Sequence, residues 1–146
     1  MTRSAPATDR PTGPFDLSTT PIHLDSRVGA DHPAVPILGF SHDESAFEAY
    51  VAKYCTSDAP GRLVMTYTSP TDWPGWECHT AGDELVIVLE GKGTFIQEIG
   101  GQERRTAVGP GSTMINPAGV WHTADVDEPM KAVYITPCPG TQHRAR

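Results

Sequence analysis

No run in this chain comes near the roughly 18 consecutive apolar residues that a membrane-crossing helix needs, and its start carries no short apolar core of the secretory kind. The expectation from these absences is a soluble, cytoplasmic protein without a membrane partner. Basic residues are also scarce: 11 Lys and Arg against 18 Asp and Glu leave a formal net charge of -7. A protein that grips nucleic acid must neutralise phosphates with clustered cations. Here Arg104-Arg105 and Arg144-Ala145-Arg146 are short groups that read as solvated surface, so no nucleic-acid partner is expected. Cysteine is limited to Cys55, Cys78 and Cys138, an odd number without CxxC spacing. That excludes a Cys-rich zinc knuckle and leads us to expect free thiols rather than a disulfide framework.

What the chain has in quantity is turn-forming residues, with 14 Gly and 14 Pro in 146 residues. This exceeds the average of about 12% for the two together and suggests many short strands in one domain. Residues 1–31 are rich in Pro, Thr and Ser without a sustained period, and are expected as a flexible tail leading into an extended strap, with Ile22 and Leu24 laid on the body. Residues 32–60 hold the single helix signal. Ser41-His42-Asp43-Glu44 has the form of a capping box, and Phe47, Tyr50, Val51 and Tyr54 follow at the spacing of one apolar helix face.

From residue 61 to 137 the period falls to about 2. Candidate strands are Arg62–Ser69, Gly75–His79, Glu84–Glu90, Gly93–Ile99, Glu103–Ala107, Ser112–Asn116, Val120–Val126 and Lys131–Thr136, divided by Gly- and Pro-containing turns. Short strands at such regular spacing predict an antiparallel sandwich or jelly-roll barrel. Residues 138–146, with Pro139 and Gly140, are expected as a mobile C-terminal tail.

The chemistry is concentrated in WECHTAGDELVIVLEG, Trp76 to Gly91. Residues two apart in a strand share a face, so Glu77 and His79 point together, away from Trp76 and Cys78. A reversal at Thr80–Asp83 would set Glu84 on the adjoining strand, roughly 4.5–5.5 Å from His79 between Cβ atoms. Further on, Pro117 and Gly119 shape a turn before His122, and a closed sheet would bring that imidazole to the same interior. Two imidazoles and two carboxylates suit one divalent transition metal, Fe, Mn, Co, Ni or Zn, and suit Ca or Cu(I) poorly.

Gly75–Gly91 resembles the first motif of the cupin family, G-x5-H-x-H-x(3,4)-E-x6-G, with His79 at the second His and Glu84 at the Glu. Gly111–His122 is similar to the second, G-x5-P-x-G-x2-H-x3-N, through Gly111, Pro117, Gly119 and His122. The resemblance implies an all-β jelly-roll barrel with one short N-terminal helix, a homodimer, and metal ligands His79, Glu84 and His122. Two positions depart from the pattern: Glu77 stands at the first His and Val126 at the Asn. Glu77 is therefore either a fourth ligand or a catalytic acid or base beside a two-His, one-carboxylate site with open positions.

The expected function is that of a metal-dependent enzyme, an isomerase, lyase, hydrolase or dioxygenase, acting on a small polar organic substrate. A non-catalytic small-molecule-binding module and a metal-free isomerase of the sugar type are the alternatives. Trp76 and Trp121 are expected to pack away from the site, Trp73 to lie on the surface, and Met114, Val86, Val88 and Phe95 to fill either core or pocket wall. His23, His32, His42 and His143 are expected at the surface.

Overall fold

The computed structural model describes residues 9–146; the first part of the expected flexible tail lies outside them. Nine strands form one antiparallel sheet that folds over itself, the jelly-roll architecture. In chain order they are β1 (Ile22–Asp25), β2 (Val35–Pro36), β3 (Gly61–Ser69), β4 (Gly75–His79), β5 (Glu84–Ile99), β6 (Gln102–Val108), β7 (Thr113–Asn116), β8 (His122–Cys138) and β9 (Thr141–Ala145), with α1 (Glu44–Tyr54) before β3. Among the described residues no ladder joins β6 or β7 to β9, so hydrogen bonding does not run the whole way round.

Two long strands hold the layers together. β8 pairs with β3 over Met130–Cys138, while β5 runs beside β8 from Leu85↔Ile135 to Gln97↔His122. Each of these strands reads in sequence as two, because Gly91-Lys92 and Glu128-Pro129 look like turns. They are instead the irregular centre of one long pairing, with register shifts between Val88 and Gly93. A bulge of this kind bends both strands and lets them serve two layers. Gly91 has φ +84, and a side chain there would strike the Pro129 carbonyl, so glycine is required by both conformation and space. Inside the bend lie Val86, Val88, Phe95, Ala124, Met130 and Ala132, all fully buried. They are core filling, not pocket wall.

A second cluster seats α1 on the sheet through Tyr50, Phe47, Val51 and Tyr54, the face predicted from their spacing, against Leu63 and Phe40. The cap differs from the expected capping box. Asp43, not Ser41, is the N-cap, its Oδ1 accepting from the Ala46 N–H at 2.8 Å, while Ser41 Oγ donates to Asp43 Oδ2. A carboxylate is a stronger acceptor than a hydroxyl and favours the positive end of the helix dipole. In β1 the buried side chain is His23, not Ile22 or Leu24. His23 Nδ1 meets the Tyr50 hydroxyl at 2.7 Å, giving an otherwise costly buried imidazole a partner.

Cys55, just past α1, is joined to Cys138 at the end of β8, which corrects the expectation of three free thiols. The partners are separated by 83 residues, a distance at which spacing carries no pairing signal. Cys78 is free and buried. The C-terminal residues, expected as a mobile tail, form β9 along β4 instead, with Glu77 opposite His143. Among the described residues no helix is long and apolar enough to cross a membrane.

Candidate metal centre

The residues singled out in the sequence do meet, by a route other than the expected hairpin. β4 pairs with β8 and β9, not with β5. The Thr80–Asp83 connection therefore crosses between layers, and Glu84 faces His79 across the interior. Glu77 lies opposite both His122 and His143 in register, and Glu84 lies opposite Asn116. The two motif turns are tied directly, since the Gly119 N–H donates to the His79 carbonyl at 2.8 Å and the Ala118 N–H to Asp83 Oδ1 at 2.8 Å. Those bonds fix the spacing between the strands that carry His79 and His122.

Glu77, His79, Glu84 and His122 each offer a donor atom within 4.8 Å of the others. Glu84 is the hub. Its Oε2 is 3.1 Å from His79 Nε2, and its Oε1 is 3.4 Å from His122 Nε2. Glu77 Oε2 stands farther out, at 3.8 and 3.9 Å from the same two nitrogens. His79, Glu84 and His122 are all but completely buried, whereas the Glu77 side chain is 34% exposed.

Each inner ligand is held from behind. His79 Nδ1 bonds Thr141 Oγ1 at 2.9 Å, and His122 Nδ1 lies 3.1 Å from the Val120 carbonyl. A neutral ring whose Nδ1 donates to a carbonyl presents an unprotonated Nε2, the form that can bind a metal. Glu84 accepts from Asn116 Nδ2 at 3.0 Å and from Thr136 Oγ1 at 2.7 Å, and Asn116 is itself fixed by Gln97 Nε2. A carboxylate oxygen retains lone pairs beyond one such bond. Burial pulls the Glu84 carboxyl up, but His122 and His79 outweigh it and hold the group well below the usual carboxylate range. Burial lowers His122, and the adjacent Glu84 carboxylate more than reverses this.

The donor set fits a transition metal on an observation independent of any family. Nε2 of His79 and Nε2 of His122 are buried with no well-aligned hydrogen-bond partner, although both face Glu84. Two buried imidazole nitrogens left in this way, beside a carboxylate kept ionised, are costly unless something binds them. A divalent cation would satisfy all of them at once.

Several nearby residues escaped the sequence reading. Asn116, Thr136 and Thr141 reach the ligands from three separate strands, and no spacing links them to Glu84 or His79. His143, expected at the surface, is exposed yet directed at Glu77, with Nε2 3.5 Å from Oε1. Glu77 holds the His143 ring above the ordinary imidazole range. Trp73, also expected at the surface, packs edge-on against Phe95 and beside His122 and Tyr134. Trp76 and Trp121 do turn from the ligands, and Arg144 lies over both rings, 5.0 and 4.6 Å from the centroids. Beside these four residues opens a cavity of about 720 Å³ reaching from β3 to α1.

Fold and site together define a jelly-roll protein with a buried imidazole and carboxylate group suited to a metal. The chain belongs to the Cupin domain family, whose profile matches residues 55–136, more than half its length. Among solved structures it is similar to hydroxypropylphosphonic acid epoxidase from S. wedmorenis in complex with fosfomycin, at 16% identity and a TM-score of 0.45, over 53% of this chain and 50% of that one. It is similar to hydroquinone 1,2-dioxygenase in complex with Cd2+ and 4-hydroxybenzonitrile, at 16% identity and a TM-score of 0.46, over 53% and 58%. A conserved Streptococcus pyogenes protein of unknown function gives 20% identity and a TM-score of 0.42, over 56% and 66%. The chain thus matches about half to two thirds of these structures. No curated protein matches it.

Proposed function

We propose that this protein is a metal-dependent enzyme, holding one divalent transition ion at Glu77, His79, Glu84 and His122 and acting on a small organic molecule in the adjoining cavity. The observation that carries the reading is the pair of buried, unpartnered Nε2 atoms converging on an ionised Glu84. When bound, such an ion supplies Lewis-acid polarisation of an oxygen or lowers the pKa of water. Val120 and Thr141 hold the two rings in orientation, and Asn116 and Thr136 hold Glu84. Glu77, at the cavity side and farthest from both rings, is the member best placed to leave the ion and move a proton.

The test is elemental analysis of protein purified without a histidine tag, with His79→Ala and His122→Ala in parallel. We expect about one transition metal per chain in the parent and a loss of most of it in both variants. A parent that stays free of transition metal after incubation with each candidate ion contradicts the proposal.

A further inference from the structure

The cavity records what it admits. Its volume of about 720 Å³ is within the usual range of roughly 300–1,000 Å³ for small-molecule sites. Phe47 and Val51 from α1, Met65 from β3, and Trp73 and Tyr134 give it a largely apolar and aromatic wall. Among the described residues no Lys or Arg lines it, whereas Glu44, Glu77 and Glu84 do. Apart from His79, already placed in the candidate metal-binding group, His42 and His143 are the lining groups able to carry positive charge, and His143 is already engaged by Glu77. Without a bound metal ion, an anionic guest would meet carboxylates with no fixed cation from the protein to offset them.

One polar atom in this wall has no protein partner. The Tyr134 hydroxyl is buried and makes no hydrogen bond among the described residues. Ser69 is close enough to act on the phenol, but no hydrogen bond of normal geometry joins the two hydroxyls. Burial pushes the Tyr134 phenol above its ordinary value, so at neutral pH it is a donor. A buried donor with no acceptor is unfavourable unless a guest supplies one. Trp73 connects the two polar ends, its ring centroid 6.3 Å from that of His122 and 6.1 Å from that of Tyr134.

We infer that this site takes an uncharged, ring-bearing compound with two oxygen functions. One oxygen reaches the Glu77, His79, Glu84 and His122 group, the other accepts from the Tyr134 hydroxyl, and the ring lies against Trp73. The first contact rests on the metal-enzyme reading; the ring and the Tyr134 contact do not. The polarity expected of the substrate is thereby confined to two atoms on an otherwise apolar body.

The experiment titrates 3-hydroxybenzamide and 3-hydroxybenzoate, close in shape and differing in charge, into the full chain by calorimetry and tryptophan fluorescence. It is run on zinc-loaded and chelated protein, with parent, Tyr134→Phe and Trp73→Phe. In the chelated protein the amide should bind at least tenfold more tightly than the carboxylate. Tyr134→Phe should weaken the amide fivefold or more with metal content and melting temperature unchanged, and Trp73→Phe should remove most of the fluorescence response. Equal or tighter binding of the carboxylate by the chelated protein, unaltered affinity in Tyr134→Phe, or no binding of either ring compound at millimolar concentration overturns the inference. If the protein takes up no metal yet keeps the tenfold preference, the metal reading fails and this one stands. If zinc loads and neither compound binds, the reverse holds.

Discussion

At the scale of single residues, the candidate site consists of three buried groups and one that is partly exposed and stands farther out. His79, Glu84 and His122 were legible in the sequence because they fall in register with the two cupin motifs, although the hairpin expected to join His79 and Glu84 is not formed. The groups that hold them, Thr141, Asn116 and Thr136, were not, because contacts across strands leave no mark in a single chain. Outer partners of this kind typically change metal affinity by about 10–100-fold when removed. Thr136→Val, which keeps shape and deletes the donor to Glu84 Oε2, should therefore weaken metal binding about tenfold in a competition titration. Glu77→Gln, affecting the most distant and most exposed member, should cost less metal affinity than His79→Ala. An equal loss in both would place Glu77 among the fixed ligands.

At the scale of elements, α1 is fastened to the sheet at two points that the sequence did not disclose. Its periodicity was legible, and so was its apolar face. The cap shifted by two residues because Asp43 competes with Ser41 for the same role. The Cys55–Cys138 link and the His23–Tyr50 contact depend on tertiary approach alone. His23 adds a pH dependence. Burial lowers its ring below the ordinary value of 6.5, with Asp25 opposing. Between that lowered value and 6.5 the unfolded chain binds more protons than the folded one, so stability falls on acidification through this window. His23→Gln, which does not titrate there, should show a shallower loss of stability between pH 7 and pH 5 in urea denaturation. Parallel slopes for the two proteins would contradict the assignment.

For the molecule as a whole, sequence reading gave the class of fold and the place of the site, and erred where long strands carry a bulge. β5 and β8 each appeared as two strands because Gly91 and Pro129 are turn residues by type, whereas their neighbours keep the ladder with shifted register. The same limit applied to β9, whose Pro139 and Gly140 suggested an end to structure when they mark a corner before a strand along β4. That strand supplies Thr141 to His79 and His143 to Glu77, so β9 supports two of the four candidate residues. The whole account depends on side chains from β4, β5 and β8 sharing one cation. The most direct measurement is an anomalous difference map from crystals grown with cobalt, recorded on both sides of the cobalt edge. We predict a single interior peak about 2.0–2.2 Å from Nε2 of His79, Nε2 of His122 and a carboxylate oxygen of Glu84, by analogy with divalent N and O distances. A map with no interior peak, or with cobalt bound only at surface histidines, would contradict it.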